Sequence, residues 1–476
     1  MEGDFTRDTF DPTKHFSRVL IQQGRVPLDA DANEQTAILL HYLQTLAADL
    51  IGPYAGPVDN CGFEIVADPT TISARLKPPQ AKSGPTVAAG DLLIGKGNYY
   101  VDGILCENEA DLLYSAQTDL VSADMSKANK PPYLVYLDVW ERLVTSVEDP
   151  GIREIALGGA DTAARARVMQ QVRITAPDRA ETREAVYKGW AQRVQDWQPD
   201  NRGLLSAQAK EVFDSALEDP CVISPTAQYR GAENQLYRVE IHNEGEAGVS
   251  ANSATFKWSR DNASVVAPIL SLTGAEVTLD SWPQDVRLGV EIGDWVEVVD
   301  DDLLRGNPNT GGSKLFLVQD IDPVNRLVTL IGTPDAGKDQ AKHPMLRRWD
   351  QKGDLAKGND PTRRGAVALE EDKWLDLEDG VQIHFTSTTS DTAKQPKHQY
   401  RAGDYWMIPA RTATGDVDWP GAPDKPMPPH GVTHHYAPLA LVLADNADNK
   451  VIELRWSWAI TLSPPPEKQS QSAGHP

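Results

Sequence analysis

Beyond Gly52 the chain consists of short β-branched and aromatic runs cut apart by Gly, Pro and Asp, and this texture continues almost to the C-terminus. Runs of this kind are too short and too often interrupted for helices, and they read as strands of antiparallel sheets. "GDLLIGKGNYYVDGILCENE" reads as a hairpin with its turn at residues 95–98, and "PYLVYLDVWERLVTSVED" as one long strand or two joined strands. "LYRVEIHNEG", "ATFKWSRDNASVVAPIL", "AEVTLDSW", "GDWVEVVDD", "KLFLVQDID" and "NRLVTLIG" follow at close spacing, the signature of a sandwich or a small barrel. Later strands are expected at "VQIHF", "DYWMIPA", "YAPLALVLAD" and "VIELRWSWAI". Gly-Asp recurs ahead of apolar or aromatic pairs at Gly90-Asp91, Gly293-Asp294 and Gly403-Asp404, and a tight turn feeding a strand explains each.

One segment breaks the pattern. "DADANEQTAILLHYLQTLAADLIG" sets Ile38, Leu39, Tyr42, Leu43, Leu46, Leu50 and Ile51 at helical spacing; Asp31 and Glu34 suggest a capping box at its start, and Gly52-Pro53 ends it. Asp29, Asp31 and Asn33 imitate the opening of a calcium loop. The sixth position, however, is Glu34 where the sharp turn needs glycine, and the twelfth is Leu40 where a bidentate carboxylate is required, so capping is the better reading.

The expected fold class is therefore mainly β (α+β): an N-terminal arm and amphipathic helix, then two or three antiparallel β-sandwich or barrel-like modules with a helical connector. At 476 residues the chain exceeds what one core usually supports. Its expected division is a docking arm and helix over 1–55, a first β domain over 56–175, a helical connector over 176–220, a second β domain over 221–335, a Pro/Gly-rich β region over 336–462, and a low-complexity, disordered tail over 463–476. The connector, rich in Ala, Glu, Arg and Gln, is read as one or two surface helices.

With 46 Lys plus Arg against 69 Asp plus Glu, the formal charge of −23 repels phosphate backbones and anionic lipid, and nucleic acid is not expected as a partner. Cys61, Cys106 and Cys221 form no C-x-x-C pair and no disulfide framework. No window approaches a spanning helix, and the first residues lack a basic start followed by an apolar run. Synthesis in the cytoplasm without a signal peptide is expected.

Chemistry-bearing motifs are scarce. "GTPDAGKD" has the spacing of a phosphate loop but ends in Asp339 where a Mg²⁺-binding hydroxyl is needed, and Pro344 interrupts any following helix. Asp300, Asp301 and Asp302, with Asp320 and Asp322, suit a solvated turn better than a calcium site. No G-x-S-x-G, H-E-x-x-H or G-x-G-x-x-G occurs, so no catalytic residue and no bound organic cofactor is nominated. Trp258, Trp295, Trp406, Trp456 and Trp458 lie in strand-like runs, where rings fill a core or, if exposed in a row, stack on sugars. The remaining candidates are His430, His434 and His435 in "PPHGVTHHYAPLALVLAD". A strand would send His434 and His435 to opposite faces, and the prolines before His430 exclude a helix that would align it with His434, so one chain's three rings do not make a tetrahedral site. Two readings stay open: polar residues that pin a loop to a strand, or one histidine per subunit completing a zinc or iron site at an oligomer axis.

Long blocks in one order carry a resemblance. "GDFTRDTFDPTKHFSRVLIQQGRVPLDADANEQTAILLHYLQTLAADLIGP", "GNYYVDGILCENE", "VYLDVWERLVTSVEDPGIREIALGGADTAARARV", "TFKWSRDNASVV", "LRRWDQ" and "DYWMIPARTATGDVDWP" together resemble an uncharacterised family encoded beside phage-tail-like contractile injection systems. The segment "VEDPGIREIALGGADTAARARV" is also similar to parts of contractile-phage tail-fibre and baseplate proteins. Ala32 and Ala160 depart from the pattern, which would place a tryptophan and a proline there. The resemblance implies a structural particle component, baseplate, spike-tip or fibre-like, with other tail proteins and further copies of itself as partners, in a particle that is cytosolic, released or membrane-attached. The alternatives are a carbohydrate- or cell-surface-binding module, or a hydrolase of envelope polymers.

Overall fold

The computed structural model describes residues 1–78, 84–118, 131–177, 182–198, 201–210, 228–248, 250, 252–282, 286–305, 314–352, 365–388, 397–420, 425–445 and 448–459. The low-complexity tail and Cys221 lie outside these. The fold is mainly β, with three hydrophobic cores built almost wholly from antiparallel pairs.

The first core centres on Tyr133–Val144, a single 12-residue strand flanked by Arg165–Thr175 and His435–Asp445, with Asp448–Glu453 outside the latter. Alternate residues serve opposite faces: Val135, Leu137 and Val139 pack toward Tyr99, Val101 and Cys106, while Leu134 packs with Trp190 of the helix Arg183–Trp197. Cover on both faces explains why this strand's sequence is almost continuously apolar. The neighbouring hairpin, Gly97–Val101 with Ile104–Asn108, turns at Asp102-Gly103 and not at 95–98. Both turn residues have positive φ, 47° and 79°, which suits the right-handed twist of a two-residue hairpin loop.

The second core is a sandwich. A five-stranded sheet with Gln235–Asn243 at its centre, between Thr255–Ser259 and Tyr405–Arg411, shares its buried face with a three-stranded sheet of Trp374–Asp376, Val381–Thr386 and Leu204–Ala209. Leu204–Ala209 falls inside the stretch read as helical connector. Pairing with Val381–Thr386 and burial of Leu205, Ser206 and Ala207 override the helical leaning of its Ala and Gln.

The third core is a closed six-stranded barrel in the order Val266–Thr273, Glu276–Leu279, Leu327–Ile331, Leu315–Asp322, Trp295–Val299, Met345–Trp349. Closure leaves no free sheet edge. The acidic run beside it is partnered: Asp300 accepts the Gly337 amide at 3.0 Å, Asp301 meets His343 Nδ1 at 3.0 Å, and Asp302 pairs with Lys342. The Gly337 amide is thereby engaged, and only the three-residue 3-10 turn Gln340–Lys342 follows the phosphate-loop look-alike.

The cores are nested in sequence. The barrel interrupts the sandwich, and the sandwich interrupts the first core, whose final strands come from 435–458. The stretch 336–462 is therefore shared among all three cores, because its strands complete sheets begun far upstream. All three Gly-Asp turns hold a left-handed glycine, with φ of 79° at Gly90, 91° at Gly293 and 86° at Gly403.

A buried chain of charges clamps sandwich to barrel. Arg238 pairs with Glu240 at 2.6 Å, Glu240 with Lys257 at 3.2 Å and Lys257 with Glu297 at 2.9 Å; Glu2 reaches Arg347 at 2.5 Å. Lys257 Nζ lies 4.1 Å from the Trp349 ring centre, whose indole N–H donates to Glu297 at 2.9 Å. Every one of these charges except Glu2 is nearly inaccessible to solvent, so each depends on its partners for the hydration it has lost.

Candidate functional site

The histidine loop crosses from the sandwich to the first core. Met427 exchanges both backbone hydrogen bonds with Leu205, and its carbonyl accepts the Trp406 indole N–H at 2.9 Å; the His430 carbonyl accepts the Tyr405 amide at 2.9 Å. Four residues on, His434 Nδ1 lies 2.6 Å from Asp138, and His435 Nδ1 lies 2.8 Å from Asp102. Asp138 sits on the central strand and Asp102 in the hairpin turn, so the two adjacent rings do turn to opposite sides. His430 packs 5.7 Å from the Tyr405 ring, and burial lowers its pKa below the ordinary histidine value. The structure thus separates the three rings and gives each its own neighbours, and no cluster of three metal-ligating side chains occurs among the described residues. Within one chain these histidines join a loop to a strand. In His434 and His435 the carboxylate takes Nδ1, which leaves Nε2 as the only ligand atom either could offer a second subunit.

His434 also lines a cleft of about 410 Å³ where the first core, the C-terminal end of the helix Arg183–Trp197 and the sandwich meet. Its aromatic wall is Tyr136, Trp197 and Tyr436: Trp197 stands 4.5 Å from the Tyr136 ring and 4.8 Å from the Tyr436 ring. His434 stacks on Tyr436 at 6.0 Å with 14° between the planes. Facing them are Arg173, Arg202 and Arg401. Arg173 pairs with Asp138 at 3.0 Å, and Arg202 holds Asp404 through two guanidinium nitrogens, Nε at 2.8 Å and Nη2. Gly431 gives Arg202 room, since a Cβ there would overlap its guanidinium. Arg401 donates to the Trp197 carbonyl at 2.8 Å and has no carboxylate partner among the described residues. Burial and then the neighbouring Arg202 lower its pKa; burial raises that of Asp404 against the pull of Arg202. Two paired arginines, one unpaired arginine and a flat aromatic wall suit a ligand with a planar or ring face and an acidic group. Sequence reading found His434 but not its neighbours, which come from four distant segments with no motif spacing.

The tryptophans divide as their strands dictate. Trp258 and Trp406 are buried, Trp295 and Trp458 half-buried, and Trp456 is exposed, so these five do not form an exposed row of rings. Cys106 is buried in the first core, its thiol pushed up to about 12 by burial, and is no nucleophile.

The second candidate site is a surface. The helix Asp29–Ile51 buries only Ala30 and Ile38. Leu39, Leu40, Tyr42, Leu43, Leu46 and Leu50 are exposed, as are Phe16, Leu20, Ile21 and Val26 of the arm before it. The helix begins two residues before the expected cap. Asp31 accepts the Leu28 amide at 3.3 Å from the third helical position, Asp29 binds Thr6, and Glu34 accepts the Thr9 hydroxyl at 2.5 Å. Of the two carboxylates read as a cap, Asp31 does cap the helix from its third position, whereas Glu34, together with Asp29, ties the arm along the helix. Gly52, with φ 96°, ends it as expected. No helix among the described residues is long and apolar enough to cross a membrane.

No curated protein and no solved structure matches the chain. A family model matches it over residues 1–201 and again over 200–463, the junction falling where the helix Arg183–Trp197 gives way to the sandwich. The chain belongs to that family, the family of unknown function DUF6519.

Proposed function

We propose that the chain is a structural component of a phage-tail-like contractile particle, a baseplate, spike-tip or fibre-like part, and that it acts by assembly with its neighbours. The observation that carries this reading is the N-terminal segment: eleven large apolar side chains from Phe16 to Leu50 face solvent on an arm and helix fixed to a folded body. An exposed apolar surface of that kind is characteristic of a protein–protein interface. The resemblance of the long sequence blocks to proteins encoded with contractile systems supports the particle as its setting, and the acidic surface suits docking to basic neighbours. The test is sedimentation of sheath-and-tube particles from cells carrying a tagged chain. Co-sedimentation, with one density missing from particles of the deletion strain, is the expected result; unchanged particles and a chain that stays in the supernatant would overturn the proposal.

The cleft favours a second reading, a cell-surface glycan-binding module within such a part. Trp197, Tyr136 and Tyr436 beside Arg401, which has no carboxylate partner among the described residues, form a site for an acidic saccharide. On an array of neutral and uronic-acid glycans the chain is expected to bind the acidic set. Trp197→Ala and Arg401→Gln should each lower that binding at least tenfold, and equal binding by all three proteins would remove the reading.

A further inference from the structure

The exposed side chains of the helix Asp29–Ile51 follow a stricter order than amphipathicity requires. Ala32, Thr36, Leu39, Leu43, Leu46 and Leu50 are separated by four, three, four, three and four residues, and all six are exposed. That is the 3.5-residue period of a coiled-coil seam, sustained over the helix's full length, with leucine in its last four places. The helix is fixed to its own body on another side: Ala30 and Ile38 are buried, and the turn glycine Gly103 lies so close under the Gln44 carbonyl that any Cβ would overlap it. The arm binds Asp29, Glu34 and Gln35, and Phe10 packs 5.7 Å from the His41 ring. Nothing from the described chain covers the leucine seam.

We infer that this seam closes on the same helix of further copies of the chain, as a parallel coiled coil on a cyclic symmetry axis. The positions flanking the seam decide between a copy of this chain and a different partner. They are Asn33, Gln35, Leu40, Tyr42, Ala47 and Asp49. In a coiled coil that selects a different partner these places carry charges whose complements sit on that partner. Here five of the six are uncharged, so a second copy meets no like-charge repulsion except at Asp49, near the C-terminal end. Leu40 and Tyr42 widen the apolar stripe, as a bundle with more than one neighbour requires. With the axis running along the coiled coil, every copy presents the same residue at the same height and the helices are parallel.

This inference rests on the assembly reading, but the two fail separately. Light scattering behind a sizing column measures the mass of the full chain at about 50 μM. A multiple of 52.1 kDa is expected, with the double variant Leu43→Glu, Leu46→Glu falling to a single chain while its circular dichroism spectrum stays that of the folded protein. Leu43→Cys should link to itself under mild oxidation, whereas Val324→Cys, on an exposed barrel turn, should not. A wild-type monomer, or an oligomer indifferent to the double variant, overturns the self-paired seam. If that monomer still sediments with particles, the assembly reading survives without it; an oligomer that never does so leaves the seam and removes the particle.

Discussion

His242 lies on the central strand of the sandwich, buried beside Lys257 and near Glu240 and Glu297, and its Nδ1 has no hydrogen-bond partner among the described residues. Burial first, and then the Lys257 charge, bring its pKa down from 6.5 to about 4. Below pH 6.5 the unfolded chain takes up a proton that the folded chain refuses, so stability falls as the pH drops from 6.5 to 4. Glu240 works in a lower window. Burial alone would raise its pKa, but Lys257 and Arg238 bring it below the usual 4.5 to about 2, so its contribution is present above 4.5 and lost between 4.5 and 2. A shift of this size corresponds to roughly 3 kcal/mol at most. The melting temperature is expected to fall between pH 6.5 and 4.5 in the native chain and to fall much less in His242→Leu. Parallel profiles for the two proteins would show that another group carries the acid sensitivity.

Among single elements, the hairpin 97–108 and the N-terminal helix depend on one residue. Gly103 is the second residue of the hairpin turn, at φ 79°, and it is also the point where the turn passes under the helix at Gln44. Gly103→Val has to distort the turn or push the helix away, at a cost of roughly 1–3 kcal/mol. The expected outcome is a lower melting point together with faster hydrogen exchange across residues 36–51, whereas exchange confined to the hairpin would mean that the helix is held elsewhere. The sequence carried this turn as Asp-Gly between apolar alternations, the strongest short-range hairpin signal, yet Gly95 and Gly97 shortly upstream compete with it, and the pairing of Tyr100 with Leu105 settles the register. Long apolar strands and the helix end at Gly52 were legible because burial and backbone geometry leave local marks on them. Leu204–Ala209 was not, since its strand state is conferred by Val381–Thr386, far away in sequence. The cleft was illegible for the same reason: Trp197, Arg202, Arg401 and His434 meet only once the nested cores have formed.

At the scale of the whole molecule, nesting sets which parts stand alone. All six barrel strands lie between Val266 and Trp349, so the barrel core needs nothing from the rest of the chain to close. The first core is the opposite case: Ala437, Leu439, Ala440 and Val442 fill one face of its sheet, Leu441 and Leu454 the other, and all arrive after both other cores have been threaded through. Without them the strand Tyr133–Val144 loses one of its two partners along most of its length and opens a long apolar edge. A chain ending at residue 432 is therefore expected to keep a folded barrel and to lose the first core, since the buried Leu439, Leu441, Val442 and Leu454 side chains, at roughly 1.5–3 kcal/mol each, together match the stability of an ordinary domain. Hydrogen exchange read by mass spectrometry separates the outcomes by segment. Protection should persist over 266–349 and vanish over 133–175; protection retained over 133–175 would show that the sheet Tyr133–Val144 with Arg165–Thr175 holds together without its C-terminal strand.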